Sequence, residues 1–195
     1  MVHLEPVRSK CRGLCAAGVA LLAVSCCSAC GSATPSPAGA DQPGDEAAGG
    51  VRLGTVAPAL HAVVLQDNEP NTLAEARGTV VLIDFWATFC EPCLKSLPHY
   101  QRLADQHAGA LTVIGVCVDD PEDVSAAQIQ AFISELGLSF SILWDKQEKT
   151  VRHYDPPAMP TAFLVDKDGV LRKVYVGPEG NEPGRIAGDV QALLR

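Results

Sequence analysis

The chain has no basic run. Its 15 lysines and arginines face 23 aspartates and glutamates, a formal net charge of −8. Binding to polyanions depends on clustered positive charge, so nucleic acid and anionic lipid are poor electrostatic partners. From Cys26 onward 12 basic residues stand against 22 acidic ones. That balance describes a solvated surface. A run able to span a bilayer is also missing: the apolar stretch Leu14 to Val24 stops at eleven residues, against about 20 for a transmembrane helix. There is no internal repeat. Cysteine is plentiful only at first sight. Of eight, five (Cys11, Cys15, Cys26, Cys27 and Cys30) fall in the first thirty residues. The rest of the chain holds only Cys90, Cys93 and Cys117. This excludes a disulfide-stapled scaffold, and a domain of about 145 residues can bury a sufficient core unaided. No second cysteine pair or Cys/His pair stands at zinc-ligand spacing. His61, His99, His107 and His153 form no recognisable ligand set.

The N-terminal residues, 1–30, read as an export signal. Arg8, Lys10 and Arg12 precede the short apolar run, which is the pattern of a signal peptide. Ala23-Val24-Ser25-Cys26 resembles a bacterial lipobox and would make Cys26 the lipidated residue. Two alternatives stay open: cleavage near Ala29 to Ala33 with release of a soluble protein, or an uncleaved anchor. Residues 31–50 contain Pro, Ser, Ala, Gly and a few acids, with no aromatic and no large aliphatic side chain. Such a segment cannot bury enough apolar surface to fold. As a flexible tether it reaches about 25 Å.

From Val51 to Arg195 the composition is that of one folded domain. Leu60–Leu65 is apolar enough for a strand, and Asp67 to Asn71 is a turn cluster. Val80–Phe85 is a β-branched run, the mark of a central strand. Leu94, Leu97, Tyr100, Leu103, Ala104 and His107 then recur at helical spacing, with Pro98 expected to kink the helix. Leu111–Val118 is a second apolar strand. Asp119 to Asp123, with Pro121, looks like the capped start of a helix that buries Ile129, Phe132, Ile133 and Leu136 and ends at Gly137. Phe140–Leu143 is a short strand, and Asp145 caps a helix containing Val151 and Tyr154. Thr161–Val165 and Val170–Val176 flank Asp166-Lys167-Asp168-Gly169, a hairpin signal. Ile186, Val190, Leu193 and Leu194 mark a last helix. Strands alternating with helices, then a hairpin, give an α/β fold with a mixed sheet.

Cys90 and Cys93 lie where the strand gives way to the helix. Two intervening residues let both sulfurs meet across one turn, so a reversible disulfide is feasible. A helix N-terminus presents unpaired N–H groups and partial positive charge. Both favour thiolate at Cys90, and cysteines so placed have pKa values of about 3.5–7.5 instead of about 8.5. Pro92 suits the first helical turn. Glu91 acts the other way, because a carboxylate near the sulfurs disfavours thiolate.

Trp86-Ala87-Thr88-Phe89-Cys90-Glu91-Pro92-Cys93 resembles the active site of the thioredoxin superfamily, and within it the TlpA/ResA-like thiol–disulfide oxidoreductases. Ala158-Met159-Pro160-Thr161-Ala162-Phe163-Leu164-Val165 resembles that family's cis-proline loop and following strand. The resemblance covers about Val51 to Arg195. It implies a thioredoxin-like fold, a mixed central sheet flanked by helices, with a TlpA-type extra helix between strands. It implies Cys90 as nucleophile and Cys93 as the residue that resolves the mixed disulfide, with no metal and no organic cofactor. Asp84 aligns with the buried aspartate that accepts a proton from the second cysteine; the alternative is an aspartate bonded to backbone near the strand end. Pro160 should be cis, leaving the backbone of Met159 free to pair with substrate beside Thr161. Trp86 and Phe89 would be apolar surface around the sulfurs or core packing. Where ResA-like proteins carry a glutamate three residues after the second cysteine, this chain has Ser96, so properties that depend on that glutamate do not carry over. Cys117 reads as a buried thiol.

The leading function is an exported protein disulfide reductase, a monomer held by a lipid anchor. It would be fed by a membrane thiol donor of the CcdA/DsbD type and act on disulfide-bearing extracytoplasmic proteins such as apocytochrome c. A peroxiredoxin-like peroxidase is a second reading, although a Pro-x-x-x-Thr-x-x-Cys setting is absent. A non-catalytic or copper-delivering module is a third.

Overall fold

The structure is a computed structural model and describes residues 50–68 and 70–195. The expected signal, Cys26 and nearly all of the expected linker lie outside the described residues. Among the described residues no helix is long and apolar enough to cross a membrane.

Among the described residues, six strands and five helical segments follow one another as β1 (Val63–Gln66), β2 (Val80–Trp86), α1 (Glu91–Gln106), β3 (Leu111–Cys117), α2 (Ala126–Glu135), β4 (Ser141–Trp144), α3 (Lys149–Tyr154), β5 (Thr161–Val165), β6 (Leu171–Val176), α4 (Gly177–Gly180) and α5 (Pro183–Leu194). They form one mixed sheet in the order β1-β4-β3-β2-β5-β6. β2, β3 and β4 run parallel, while β1, β5 and β6 pair antiparallel. This is the thioredoxin-like architecture that the resemblance implied, with α2 as the helix between the parallel strands β3 and β4.

β2 is central because it is apolar on both faces. Every residue in it is buried, as a strand covered on two sides requires. Val80, Leu82 and Trp86 point toward Leu97 and Tyr100 of α1 and Ile186 and Val190 of α5. Val81, Ile83 and Phe85 point to the opposite cluster with Tyr154, Phe163 and Leu171. Full burial of each such aliphatic side chain is worth about 1.5–3 kcal/mol. α1 runs unbroken through Pro98.

Two boundaries differ from the sequence expectation by more than one residue. The first strand is only Val63–Gln66, not Leu60–Leu65, because it is an edge strand that pairs with β4 alone and slips register after Val64. The helix expected to start in Asp119 to Asp123 starts at Ala126. There Ser125 and Gln128 make a reciprocal capping box, with Ser125 N–H donating to the Gln128 side chain at 3.0 Å. A capping box satisfies two unpaired donors at once, and Asp119 is engaged elsewhere. Asp145 does cap α3: its carboxylate accepts from the N–H groups of Lys149 (3.0 Å) and Val151 (2.8 Å).

Gly115 is a position where a side chain is crowded. It lies opposite Asp84 in the β2–β3 register. A Cβ there would sit 2.7 Å from Ile142 Cδ1 and 3.2 Å from Trp86 Nε1. Gly115→Ala should therefore destabilise the domain by about 1–3 kcal/mol, the usual cost of overpacking. Chemical denaturation of the two proteins measures this, and an unchanged midpoint would contradict the packing described.

Candidate active site

The site forms where β2 ends. After Trp86 the chain turns through residues 87–89, and Cys90 N–H donates back to the Ala87 carbonyl at 3.1 Å. Cys90 is the N-cap of α1, and its Sγ accepts a hydrogen bond from Cys93 N–H at 3.3 Å. Pro92 in the first turn has no N–H to leave unsatisfied. The two sulfurs are bonded, with Cα atoms 5.3 Å apart, inside the range a disulfide can bridge. Cys90 is 7% exposed and Cys93 fully buried. The first sulfur is thus the one within reach of a partner, and the second lies one turn inward.

Glu91 and Lys95 stand on the open side of this turn. Lys95 Nζ is 2.7 Å from Glu91 Oε1, and both side chains are largely exposed. The hydrogen bond from Lys95 and its charge hold the Glu91 carboxyl below the usual range. Such a surface pair adds little stability. It does place a cation beside the carboxylate expected to oppose thiolate formation, which partly offsets that opposition. Only the i, i+4 spacing of Glu91 and Lys95 signals this in the sequence.

Asp84 sits on the same face of β2 as Leu82 and Trp86, by strand alternation. It is fully buried, and neither carboxylate oxygen has a hydrogen-bond partner. Burial raises its pKa well above the ordinary carboxylate value. Neither oxygen of Asp84 is bonded to backbone, unlike the alternative the sequence left open. Its charge is felt by Tyr100 on α1, whose own pKa is pushed up first by burial and then by Asp84. Ser96, in place of the glutamate of ResA-like proteins, is buried and donates to the Cys93 carbonyl at 2.9 Å.

The second landmark arrives by sheet pairing. β5 runs antiparallel to β2 with Phe85 opposite Thr161. This register sets Pro160, just before β5, beside the end of β2. The Met159–Pro160 peptide bond is cis, as the resemblance implied. Pro160 and Thr161 are buried, and Thr161 Oγ1 donates to the Ala158 carbonyl at 2.6 Å. Met159 is half-buried. The two aromatic candidates separate. Trp86 is completely buried in the core, whereas Phe89 is 74% exposed beside Cys90. Trp86 is therefore core packing and not exposed surface, in the same buried cluster as Cys90, Cys93, Leu97 and Tyr100.

One tie escaped sequence reasoning. Asp119 accepts from Thr88 N–H at 2.9 Å and Thr88 Oγ1–H at 2.8 Å, pinning the turn that leads into Cys90. The Cys117 thiol also donates to Asp119, at 3.0 Å. Burial, reinforced by that carboxylate, pushes the Cys117 thiol far up. Asp119 follows the buried strand β3, and no local pattern separates this use from a helix cap. Among the described residues no cluster of three or more potential ligands could hold a metal ion.

Comparison with known proteins places these features in a context. Residues 53–174 match the model of the AhpC/TSA family. The chain is 34% identical over 128 residues to the thioredoxin-like protein YneN of Bacillus subtilis, covering 66% of this chain and 74% of that one. It is 31% identical over 129 residues to the thiol-disulfide oxidoreductase ResA of Geobacillus thermodenitrificans, covering 65% and 71%. A Chlorobium tepidum structure assigned as thiol:disulfide interchange protein DsbE superposes with a TM-score of 0.62 at 25% identity, covering 74% of this chain and 99% of that one.

Asp84 ties stability to pH. Its folded pKa is raised, so between the unfolded value of about 3.9 and the folded value the native state holds a proton that the unfolded state has released. The wild type should lose stability as pH rises through that window, by about 1.4 kcal/mol for each pH unit separating the two values. Asp84→Asn removes the effect. Urea denaturation from about pH 4 to about pH 8 should show the variant gaining on the wild type as pH rises. A constant difference would contradict a buried, unpaired carboxyl.

Proposed function

The chain belongs to the AhpC/TSA family, and on that premise we propose that it works as a protein disulfide reductase outside the cytoplasm. It is a thiol–disulfide oxidoreductase. The observation that carries the proposal is the bonded pair Cys90–Cys93 at the N-terminus of α1, with Cys93 N–H directed at Cys90 Sγ.

In the reduced enzyme the Cys90 thiolate attacks one sulfur of a substrate disulfide. A new S–S bond forms between Cys90 and that sulfur, and the other substrate sulfur leaves as thiolate and takes up a proton. Cys93 then loses its proton and attacks Cys90 Sγ. The mixed disulfide breaks, the substrate leaves fully reduced, and the enzyme keeps the two-cysteine disulfide. Two electrons have passed to the substrate. Asp84 is the acceptor for the Cys93 proton: a carboxylate buried without a partner gains more from protonation than one in water. Pro160 holds the turn against which a substrate strand pairs with the Met159 backbone. Phe89 supplies an exposed apolar contact beside Cys90. Glu91 and Pro92 tune the pair.

Glu91 disfavours thiolate at Cys90, and a less acidic thiol makes a weaker oxidant; this supports reduction as the direction. The residues 1–30 support export, with lipidation at Cys26 as the anchor, which loss of palmitate-analogue labelling in Cys26→Ala checks. A membrane thiol donor of the CcdA/DsbD type would restore the dithiol, and proteins such as apocytochrome c would be substrates.

Equilibration with glutathione and dithiothreitol should place the pair nearer to the roughly −270 mV of a reductant such as thioredoxin than to the roughly −120 mV of a strong oxidant. Reduced protein should reduce insulin. In stopped flow, Asp84→Asn should slow resolution of the mixed disulfide by up to about 10²–10⁴-fold and change the first attack much less. An oxidant-like potential would reverse the direction proposed, and unchanged resolution at neutral pH would leave Asp84 a structural residue.

A further inference from the structure

A buried asparagine joins the two landmarks of the site. Asn181 follows α4 and is 3% exposed. Its Nδ2 donates to the carbonyls of Gly177 (2.8 Å), Pro160 (3.1 Å) and Tyr175 (3.1 Å). Its Oδ1 accepts from the Tyr100 hydroxyl at 2.8 Å. The Pro160 carbonyl receives a second donor, Gly177 N–H at 2.8 Å, from the same turn. Tyr100 is two turns along α1 from Cys93, and both residues face the core. One side chain therefore ties the carbonyl of the cis-proline turn to the helix that carries both cysteines.

The local backbone is shaped to bring Asn181 there. Gly177 has φ +68°, a left-handed conformation that glycine adopts without a steric penalty. Gly180 passes so near the β6 backbone that a Cβ would lie 3.2 Å from the Tyr175 carbonyl carbon. Asn181 also forms part of the wall of a cleft of about 160 Å³, with Pro92, Ser96, Pro160, Pro178 and Pro183. Its amide matches the task. Asparagine offers both an N–H₂ donor and an oxygen acceptor at this reach. Aspartate has no donor when ionised, and serine has a single one.

We propose that Asn181 is a positioning residue for protein substrates. It fixes the Pro160 turn against α1, so that the Met159 backbone is held at a set height relative to Cys90. The inference rests on the reading above, in which a substrate strand pairs with Met159. Asn181 touches neither the sulfurs nor the substrate and acts through Pro160. Its effect falls on substrates long enough to pair with backbone and spares small disulfides that react with the cysteine pair without pairing to the Met159 backbone.

The test compares two disulfides on the full chain, insulin and the small aromatic dithiobisnitrobenzoate. In Asn181→Ala, kcat/KM for insulin relative to that for the small disulfide should fall about two- to ten-fold, the scale of a lost hydrogen bond. Most of the fall should appear in KM. Tyr100→Phe deletes only the hydroxyl that orients the amide and should shift the ratio in the same direction, by about two-fold. An unchanged ratio in folded Asn181→Ala, or a parallel fall for both substrates, overturns the inference. If Asn181→Ala does not fold, Tyr100→Phe decides, and an unchanged ratio there overturns it. A wild type that reduces neither disulfide overturns the reductase reading, and this inference with it. A wild type that reduces both, with a constant ratio across the variants, overturns this inference alone.

Discussion

The site depends on a strand that is buried on both faces and paired on both edges. β2 is buried along its whole length and is paired on one side to β3 and on the other to β5. Its last residue, Trp86, hands the chain to a three-residue turn and then to the N-cap of α1. Core packing thus fixes where the helix begins, and the helix start fixes where the Cys90 sulfur meets an N–H. The same pairing brings Pro160 there by register, and hydrogen bonds from Gly177 and Asn181 to its carbonyl hold it. Redox chemistry at one end of a sheet here follows from burial along the sheet.

Asp84 is the one residue that violates the logic of that strand. An ionised carboxyl without a partner is costly in an apolar interior, and Asp84 has none. Its neighbours mitigate nothing electrostatically: Tyr100 is an acid itself, held protonated by burial and by Asp84. Violations of this kind cluster where chemistry requires a shifted pKa. Gly115, opposite Asp84, keeps the space near Trp86 free of a side chain.

What was legible in the sequence followed periodicity. β2, α1, the β5–β6 hairpin and α5 each bury a long or regular stripe, and each appeared where the pattern put it. The cysteine pair and the cis bond came from motif resemblance. The start of α2 was missed because two signals competed, and the Ser125–Gln128 box prevailed over an acidic run whose first residue, Asp119, is committed to Thr88 and Cys117. Trp86 was ambiguous because aromatic residues next to a redox pair serve as surface or as core; strand coverage decides, and coverage is a tertiary property. Asn181 gave no signal at all. Its partners are 21 and 81 residues away at Pro160 and Tyr100, and its segment reads as a Pro/Gly loop.

The chemistry requires that the helix start make Cys90 the thiolate. Thiolate absorbance near 240 nm measures this as the difference between reduced Cys93→Ala with and without Cys90→Ser, which cancels the five N-terminal cysteines; Cys117 is kept protonated by burial and by Asp119. Cys90 should titrate clearly below the free-thiol value of about 8.5. A titration at or above that value, or one that persists unchanged in Cys90→Ser, would contradict the account.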